Sequence, residues 1–199
     1  PNLVEICKEA CKAAHAKGVK ISCDLNYRGK LWTREQAQEA MTELCQYVDV
    51  CISNEEDAKD VFGIEAEATD ITAGQLNKEG YKSVAKQLAD KFNFEKVAIT
   101  LRESKSAFDN DWSAMLFDGS DYCFSKLYHL HIIDRIGGGD SFGGGLIYAL
   151  LTGKNSQDAI EFAVAASALK HSVEGDYNQV SLAEVEKLAG GDASGRVQR

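Results

Sequence analysis

The chain has 199 residues, with 22 Lys plus Arg against 31 Asp plus Glu and a formal net charge of −9. Its 44% hydrophobic content is that of a globular fold, long enough to bury a core without disulfides or a structural metal. The acidic balance excludes broad non-specific nucleic-acid binding, which needs clustered Lys and Arg. An anionic ligand would need a local positive site set into this background. The longest apolar run, Phe142 to Leu151, is too short and too glycine-rich to span a membrane, and no basic-then-apolar leader opens the sequence. A soluble, cytoplasmic protein is expected, with neither nucleic acid nor membrane as partner. The chain opens at Pro1 without Met and enters a helical pattern within three residues, so it is expected to be part of a longer protein. One domain over 1–189 and a polar tail over 190–199 are expected.

In chain order, residues 3–16 place Val4, Cys7, Cys11 and Ala14 at helical spacing, and Gly18 acts as the stop. Val19 to Leu25 reads as a strand that ends in the polar group Asp24, Asn26, Tyr27 and Arg28. Thr33, followed by Glu35 and Gln36, opens a helix running to about Tyr47. Val48 to Ile52 is a short strand, and Ser53–Asn54 caps a helix over EEDAKDVF. Gly63 to Gly80 holds few apolar residues and is expected as a surface excursion. A helix from about Tyr81 to Phe92 precedes a strand from Lys96 to Leu101. Ser113 to Phe117 and Tyr122 to Leu127 predict a hairpin around Asp118–Gly119, and Leu130 to Ile133 is one more strand. After a glycine-rich turn come two long helices, about 140–152 and 156–172, the second capped by Asn155. Ser181 starts a short helix, and GGDASGRVQR is a polar tail.

The six cysteines lie mostly in apolar or helical stretches, which predicts reduced thiols used as small hydrophobes. Cys7 and Cys11 share a helix face but have no partners at zinc-site spacing. His129 and His131 alternate with Leu130, so a strand points both to one face, where a sheet-surface role is expected.

Strands alternating with helices of ten or more residues predict an α/β chain with βαβ units and a parallel sheet. Right-handed crossovers then leave the strands' C-terminal ends on one edge, which is where ligands bind in open α/β sheets. The polar groups DLNYR, SNEED, TLRES and DRIGGGD all follow predicted strands, so four clusters are expected to converge there.

The run Asp134-Arg135-Ile136-Gly137-Gly138-Gly139-Asp140-Ser141-Phe142 leaves a strand and enters a helix. Successive glycines allow positive φ and remove every Cβ, so that backbone N–H groups converge on an anion. The helix N-terminus adds partial positive charge and unpaired donors. Such a cradle stabilises a phosphoryl group in transfer, and Asp140 beside it is placed to take a proton from an attacking hydroxyl. Asp140 also suits plain helix capping. Rival motifs fare worse. The chain has no G-x-x-x-x-G-K-[ST] and no full G-x-G-x-x-G opening a βαβ unit. Gly139-Asp140-Ser141-Phe142-Gly143 matches the G-x-S-x-G of serine hydrolases, a minor alternative that would use Ser141 with His171. That motif needs its serine directly after a strand, whereas six residues, Asp134 to Gly139, separate Ile133 from Asp140.

DRIGGGDSFGGGLIYAL resembles the C-terminal signature of the ribokinase-like (PfkB family) carbohydrate kinases, written D-T-x-G-A-G-D, with Arg135 at the Thr and Gly138 at the Ala. ISCDLNYRGKLW, SNEEDAKDVFGI, ALKHSVEGDYN and SGRVQR further resemble 2-keto-3-deoxygluconate kinases. The resemblance covers essentially the whole chain as the C-terminal part of such an enzyme. It implies a Rossmann-like three-layer αβα fold with a mainly parallel sheet, lacking the N-terminal portion and its lid. It implies phosphorylation of a sugar-acid primary hydroxyl with ATP and Mg2+, and in some members a monovalent cation. A neutral-sugar kinase of fructokinase or ribokinase type is the alternative. A full-length homo-oligomer is implied, with this portion alone nearly inactive.

The same resemblance makes Asp140 the general base, and gives Gly137, Gly138, Gly139 and the Asp140 amide as the anion hole. Asp134 matches an acidic position near the phosphates, where some members bind the monovalent cation. Asn54 opens the family's N-x-x-E motif, with Asp57 at its acidic position, and the pair orders Mg2+ and phosphate through water. Arg28 matches the basic residue that reaches substrate or γ-phosphate, and its planar fork suits a carboxylate or phosphate. Thr100, Arg102 and Ser104 lie where the family contacts the nucleotide, and His171 lies near its adenine pocket. Other roles stay open: Asn54 and Asp57 suit helix capping, Arg28 a surface ion pair, and His171 a helix C-terminal charge.

Overall fold

The computed structural model describes residues 2–54, 56–65 and 78–191. Most of the expected surface excursion and of the polar tail lies outside these residues, as does Glu55. The chain divides into two compact units, Pro1–Thr100 with Met115–Tyr122, and Leu101–Ala114 with Cys123–Arg199.

The first unit runs through α1 (Asn2–Ala16), β1 (Ser22–Asp24), α2 (Arg34–Leu44), a 3-10 turn at Cys45–Tyr47, β2 (Val50–Ser53), α3 (Asp57–Phe62) and α4 (Lys78–Phe92) into β3 (Lys96–Ser104). β1 to β3 pair in parallel, Cys23 opposite Cys51 and Cys51 opposite Val97. Parallel neighbours need crossover connections, and the helices supply them. Thr33 caps α2 in a capping box with Gln36, the local chemistry its residue types predict. α2 buries Ala37, Ala40 and Met41, and α4 buries Ala85, Leu88, Ala89 and Phe92. Both sets follow the i, i+3, i+4 spacing of a core-facing stripe. Val97, Ala98 and Ile99 of β3 are completely buried, as a strand covered on both faces requires. β1 starts later than predicted because the Asp49 carboxylate, not a neighbouring strand, accepts the Ile21 N–H at 2.8 Å.

The second unit takes up the end of β3 and most of β4 (Asp109–Phe117), then β5 (Tyr122–Phe124), β6 (Tyr128–His131), α5 (Gly138–Leu151), α6 (Ser156–Lys170) and α7 (Leu182–Ala189). The strand order is β1-β2-β3-β4-β5, with β6 on β4. The sheet is therefore mixed: parallel through β1 to β3, and antiparallel where β6 pairs β4, Asp109 opposite His131 and Asp111 opposite His129. Two strands extend beyond the predicted boundaries through polar residues. β4 begins at Asp109 because its polar start finds partners on β6, and β3 continues to Ser104. TLRES is thus part of a strand, not a loop following one. β6 ends earlier than predicted because the Ile133 N–H turns to the His171 carbonyl at 2.9 Å. Asn155 and Ser181 cap α6 and α7 as predicted.

His129 and His131 share a sheet face, and each pairs across the ladder with Asp111 (2.6 Å) and Asp109 (2.8 Å). All six cysteines are free, with Cys45 and Cys51 buried in the first unit's core. Among the described residues no helix is long and apolar enough to cross a membrane.

Candidate active site

In the second unit the chain leaves β6 and turns into α5 through Asp134 to Gly137. Gly137 is the N-cap of α5 and adopts φ +76°. A Cβ there would come within 2.6 Å of the Asp176 carbonyl, so only glycine admits the backbone of the 173–176 loop this closely. Gly138 and Gly139 already lie in the helix, so positive φ is confined to the first glycine of the three. Gly138 serves close approach instead, since a Cβ would meet the His171 ring at 2.7 Å.

Asp134 holds the turn from the other side. Its Oδ1 accepts the Ile136 N–H and its Oδ2 accepts the Gly175 N–H, both at 2.9 Å. These two bonds, with the Lys170 charge, keep its carboxyl below the ordinary carboxylate range. Among the described residues the Gly139 and Asp140 N–H groups, at the start of α5, have no backbone acceptor. They are two of the orphan donors that every helix start presents, at its positive end. The Asp140 side chain stands exposed in that first turn, with no hydrogen bond or ion pair among the described residues. A groove of about 600 Å³ opens beside it, lined by Gly137, Asp140, Ser141, Tyr148, Tyr177 and Asn178 among others. A free carboxylate, free N–H donors and a cavity meet at one helix N-terminus. That arrangement can bind an anionic group and take up a proton next to it.

The serine-hydrolase alternative is not assembled. The Ser141 hydroxyl accepts from the Asn178 amide at 3.0 Å. His171 is buried at the C-cap of α6, its Nδ1 2.7 Å from the Ser167 carbonyl. Since a carbonyl only accepts, Nδ1 carries the proton there. Burial, and then the charges of Arg135, Lys170 and Arg102, lower the pKa of His171 despite that bond. The ring packs under Gly138 and meets Trp112 in a tilted contact, ring centroids 5.3 Å apart and planes at 56°. It is a neutral part of the turn's floor, not a charged helix end.

In the first unit, Asn54 and Asp57 tie the end of β2 to the loop after β1. Asn54 Oδ1 accepts the Glu56 and Asp57 N–H groups at 2.8 and 2.9 Å. Asp57 is buried, and its carboxylate accepts the Tyr27 N–H at 3.1 Å and the Asn54 N–H at 3.4 Å. Burial raises its pKa, offset by these two bonds and by the Arg28 charge. The structure thus joins DLNYR to SNEED at the shared edge of β1 and β2. Arg28 is exposed, with no hydrogen bond or ion pair to its side chain among the described residues. The described residues hold no group of three or more His, Cys, Asp or Glu able to cage a metal, and the oxygens of Asn54 and Asp57 already take backbone N–H groups. Mg2+ fits here only as an ion carried by phosphates and keeping its waters. Thr100, Arg102 and Ser104 occupy alternate positions of β3, Thr100 buried and the other two exposed.

No motif points to Lys170, Asp176 or Asn178, which the fold brings to the turn. Lys170 had one signal, a lone cation in the apolar helical run AVAASALKHSV.

The family pattern of the pfkB family carbohydrate kinases matches residues 1–182. A 2-dehydro-3-deoxygalactonokinase from Haloferax volcanii is 31% identical over 192 residues, 96% of this chain and 54% of that protein. The crystal structure of a 2-dehydro-3-deoxygluconokinase from Thermotoga maritima is 50% identical and superposes with a TM-score of 0.89, covering 96% of this chain and 56% of that one. A putative ribokinase II from E. coli, solved in complex with ATP and Mg2+, shares the fold at 18% identity and a TM-score of 0.70, over 92% of this chain and 52% of that one. The chain spans about half the length of the relatives it matches. With a mixed, helix-flanked sheet, the glycine turn into α5 and a family match over nine-tenths of its residues, the chain belongs to the pfkB family of carbohydrate kinases.

Proposed function

We propose that the protein carrying this chain is a cytoplasmic kinase that transfers the γ-phosphoryl group of ATP to the primary hydroxyl of a sugar acid, with 2-keto-3-deoxygluconate as the first candidate. The observation that carries this reading is the free Asp140 carboxylate at the start of α5, beside unpartnered N–H groups and the groove. Asp140 takes the proton of the sugar hydroxyl as its oxygen attacks the γ-phosphorus. The bond from that phosphorus to the bridging oxygen breaks, and ADP leaves with the electron pair. Gly137 to Gly139 and the Asp140 amide stabilise the charge that gathers on the equatorial oxygens. Arg28 holds the sugar-acid carboxylate or the γ-phosphate through its two-pronged donors. Asn54 and Asp57 order the magnesium's waters, and the ion, when bound with ATP, neutralises phosphate charge. Thr100, Arg102 and Ser104 contact the nucleotide, with His171 near its adenine.

The test is a coupled ADP-release assay on the intact protein, with a panel of sugars and sugar acids. Turnover on a keto-deoxy sugar acid well above that on fructose or ribose supports the reading. A preference for a neutral sugar would replace the substrate class, and no ADP release with any acceptor would overturn the kinase assignment.

A further inference from the structure

Lys170, the last residue of α6, is completely buried. A lysine is almost never enclosed unless its charge is met. Here the ammonium donates to two backbone carbonyls of the following loop, Val173 at 3.1 Å and Gly175 at 2.7 Å. Gly175 in turn donates its N–H to Asp134, and the Lys170 charge helps hold that carboxyl low. The lysine stem lies against the glycine turn, its Cε 3.3 Å from where a Gly137 Cβ would sit. Carbonyl oxygens gathered near a carboxylate are the surroundings in which proteins hold hard monovalent cations, replacing the ion's hydration shell. The family resemblance implies such an ion near Asp134. These residues do not fit one, because a charged nitrogen already takes two of the loop's carbonyl oxygens, and a second cation beside it would be repelled.

We propose that the Lys170 ammonium is a tethered substitute for the free monovalent cation. It pins the 173–176 loop to the glycine turn and keeps a fixed positive charge beside the anion cradle. Its charge arrives with the fold, so the protein is indifferent to potassium. The activity consequence rests on the kinase reading above, whereas the consequence for folding does not.

The experiment compares thermal unfolding, ATP–Mg affinity and turnover of the intact protein at equal ionic strength in potassium, ammonium or tetramethylammonium chloride. The last cation is too bulky for a carbonyl cage. The wild type is expected to show the same melting temperature and affinity in all three salts. In tetramethylammonium, Lys170→Ala is expected to lose ATP affinity by roughly ten- to a hundredfold, the usual cost of a lost charged hydrogen bond. Potassium or ammonium should restore most of that loss by entering the vacated space. Lys170→Met, which fills the space without charge, should show the loss without rescue. A wild type stabilised by potassium over tetramethylammonium would overturn the proposal, as would a folded Lys170→Ala protein with unchanged affinity or with a loss no small cation repairs. If neither variant folds, the wild-type melting comparison decides by itself. Absence of turnover in every salt would count against the kinase reading and leave that comparison intact.

Discussion

Replacing Gly137 by alanine separates what the turn needs for folding from what it needs for binding. Gly137 sits at φ +76°, and an added Cβ would lie 2.6 Å from the Asp176 carbonyl and 3.1 Å from its Oδ1. A side chain in the left-handed region costs about 1–2 kcal/mol, and displacing packed neighbours adds about 1–3 kcal/mol. The expected destabilisation is therefore about 2–5 kcal/mol. At about 2–4 °C per kcal/mol for a chain of this size, the melting temperature falls by roughly 4–20 °C. Gly139 is the control two residues on. It has no positive φ, and a Cβ there meets nothing within 4 Å. Alanine at Gly139 removes a helical glycine and should leave stability unchanged or raise it by up to about 1 kcal/mol. If the Gly139 and Asp140 N–H groups hold phosphate as proposed, a methyl group beside them would crowd the anion, so ATP affinity should drop while the fold holds. Thermal unfolding by circular dichroism, paired with calorimetric ATP–Mg titration, reads both effects. A Gly137→Ala protein that melts with the wild type would refute the fit argument. Unchanged ATP affinity in Gly139→Ala would refute the cradle.

Asp140→Asn is expected to lower kcat by about 10²–10⁴ while Ser141→Ala retains turnover, and the reverse pattern in a phosphorylation assay would restore the hydrolase reading. Arg28→Lys keeps the charge but loses the planar fork, so kcat/KM should fall by roughly ten- to a hundredfold, and near-normal kinetics would remove Arg28 from the site. His171 has a lowered pKa in the fold, so the unfolded chain takes up its proton first. Its contribution to stability is present above the unfolded value near 6.5 and is lost as pH falls through the lower folded value, at up to about 1.4 kcal/mol per pH unit. Urea unfolding from pH 7 to 5 should therefore show a shallower fall for His171→Gln than for the wild type, and equal slopes would contradict this. Residues 1–199 alone are expected to bind ATP–Mg weakly with negligible transfer, because efficient transfer needs both reactants held in place; calorimetry and a coupled assay on that chain check it, and efficient turnover would refute it.

Features whose cause lies within about four residues can be read from residue order alone. Thr33, Asn155 and Ser181 cap helices because a side-chain oxygen reaches an N–H two or three residues on, whatever the rest of the chain does. The glycine turn was legible for the same reason, as was the run of apolar residues that buries α4 and the first half of β3. Whatever depends on a distant partner emerges from the folded chain. The polar start of β4 becomes strand because His129 and His131 lie opposite its two aspartates. Asp57 is buried because the Tyr27 N–H, 30 residues away, meets its carboxylate. Ser141 is claimed by Asn178 and not by a histidine, which no spacing along the chain reveals. Lys170 is the clearest case. An isolated cation in an apolar helix is a conflict at the level of sequence, resolved only where the fold brings the loop's carbonyl oxygens to it, since a buried charge is tolerated where polar partners replace the water it gives up.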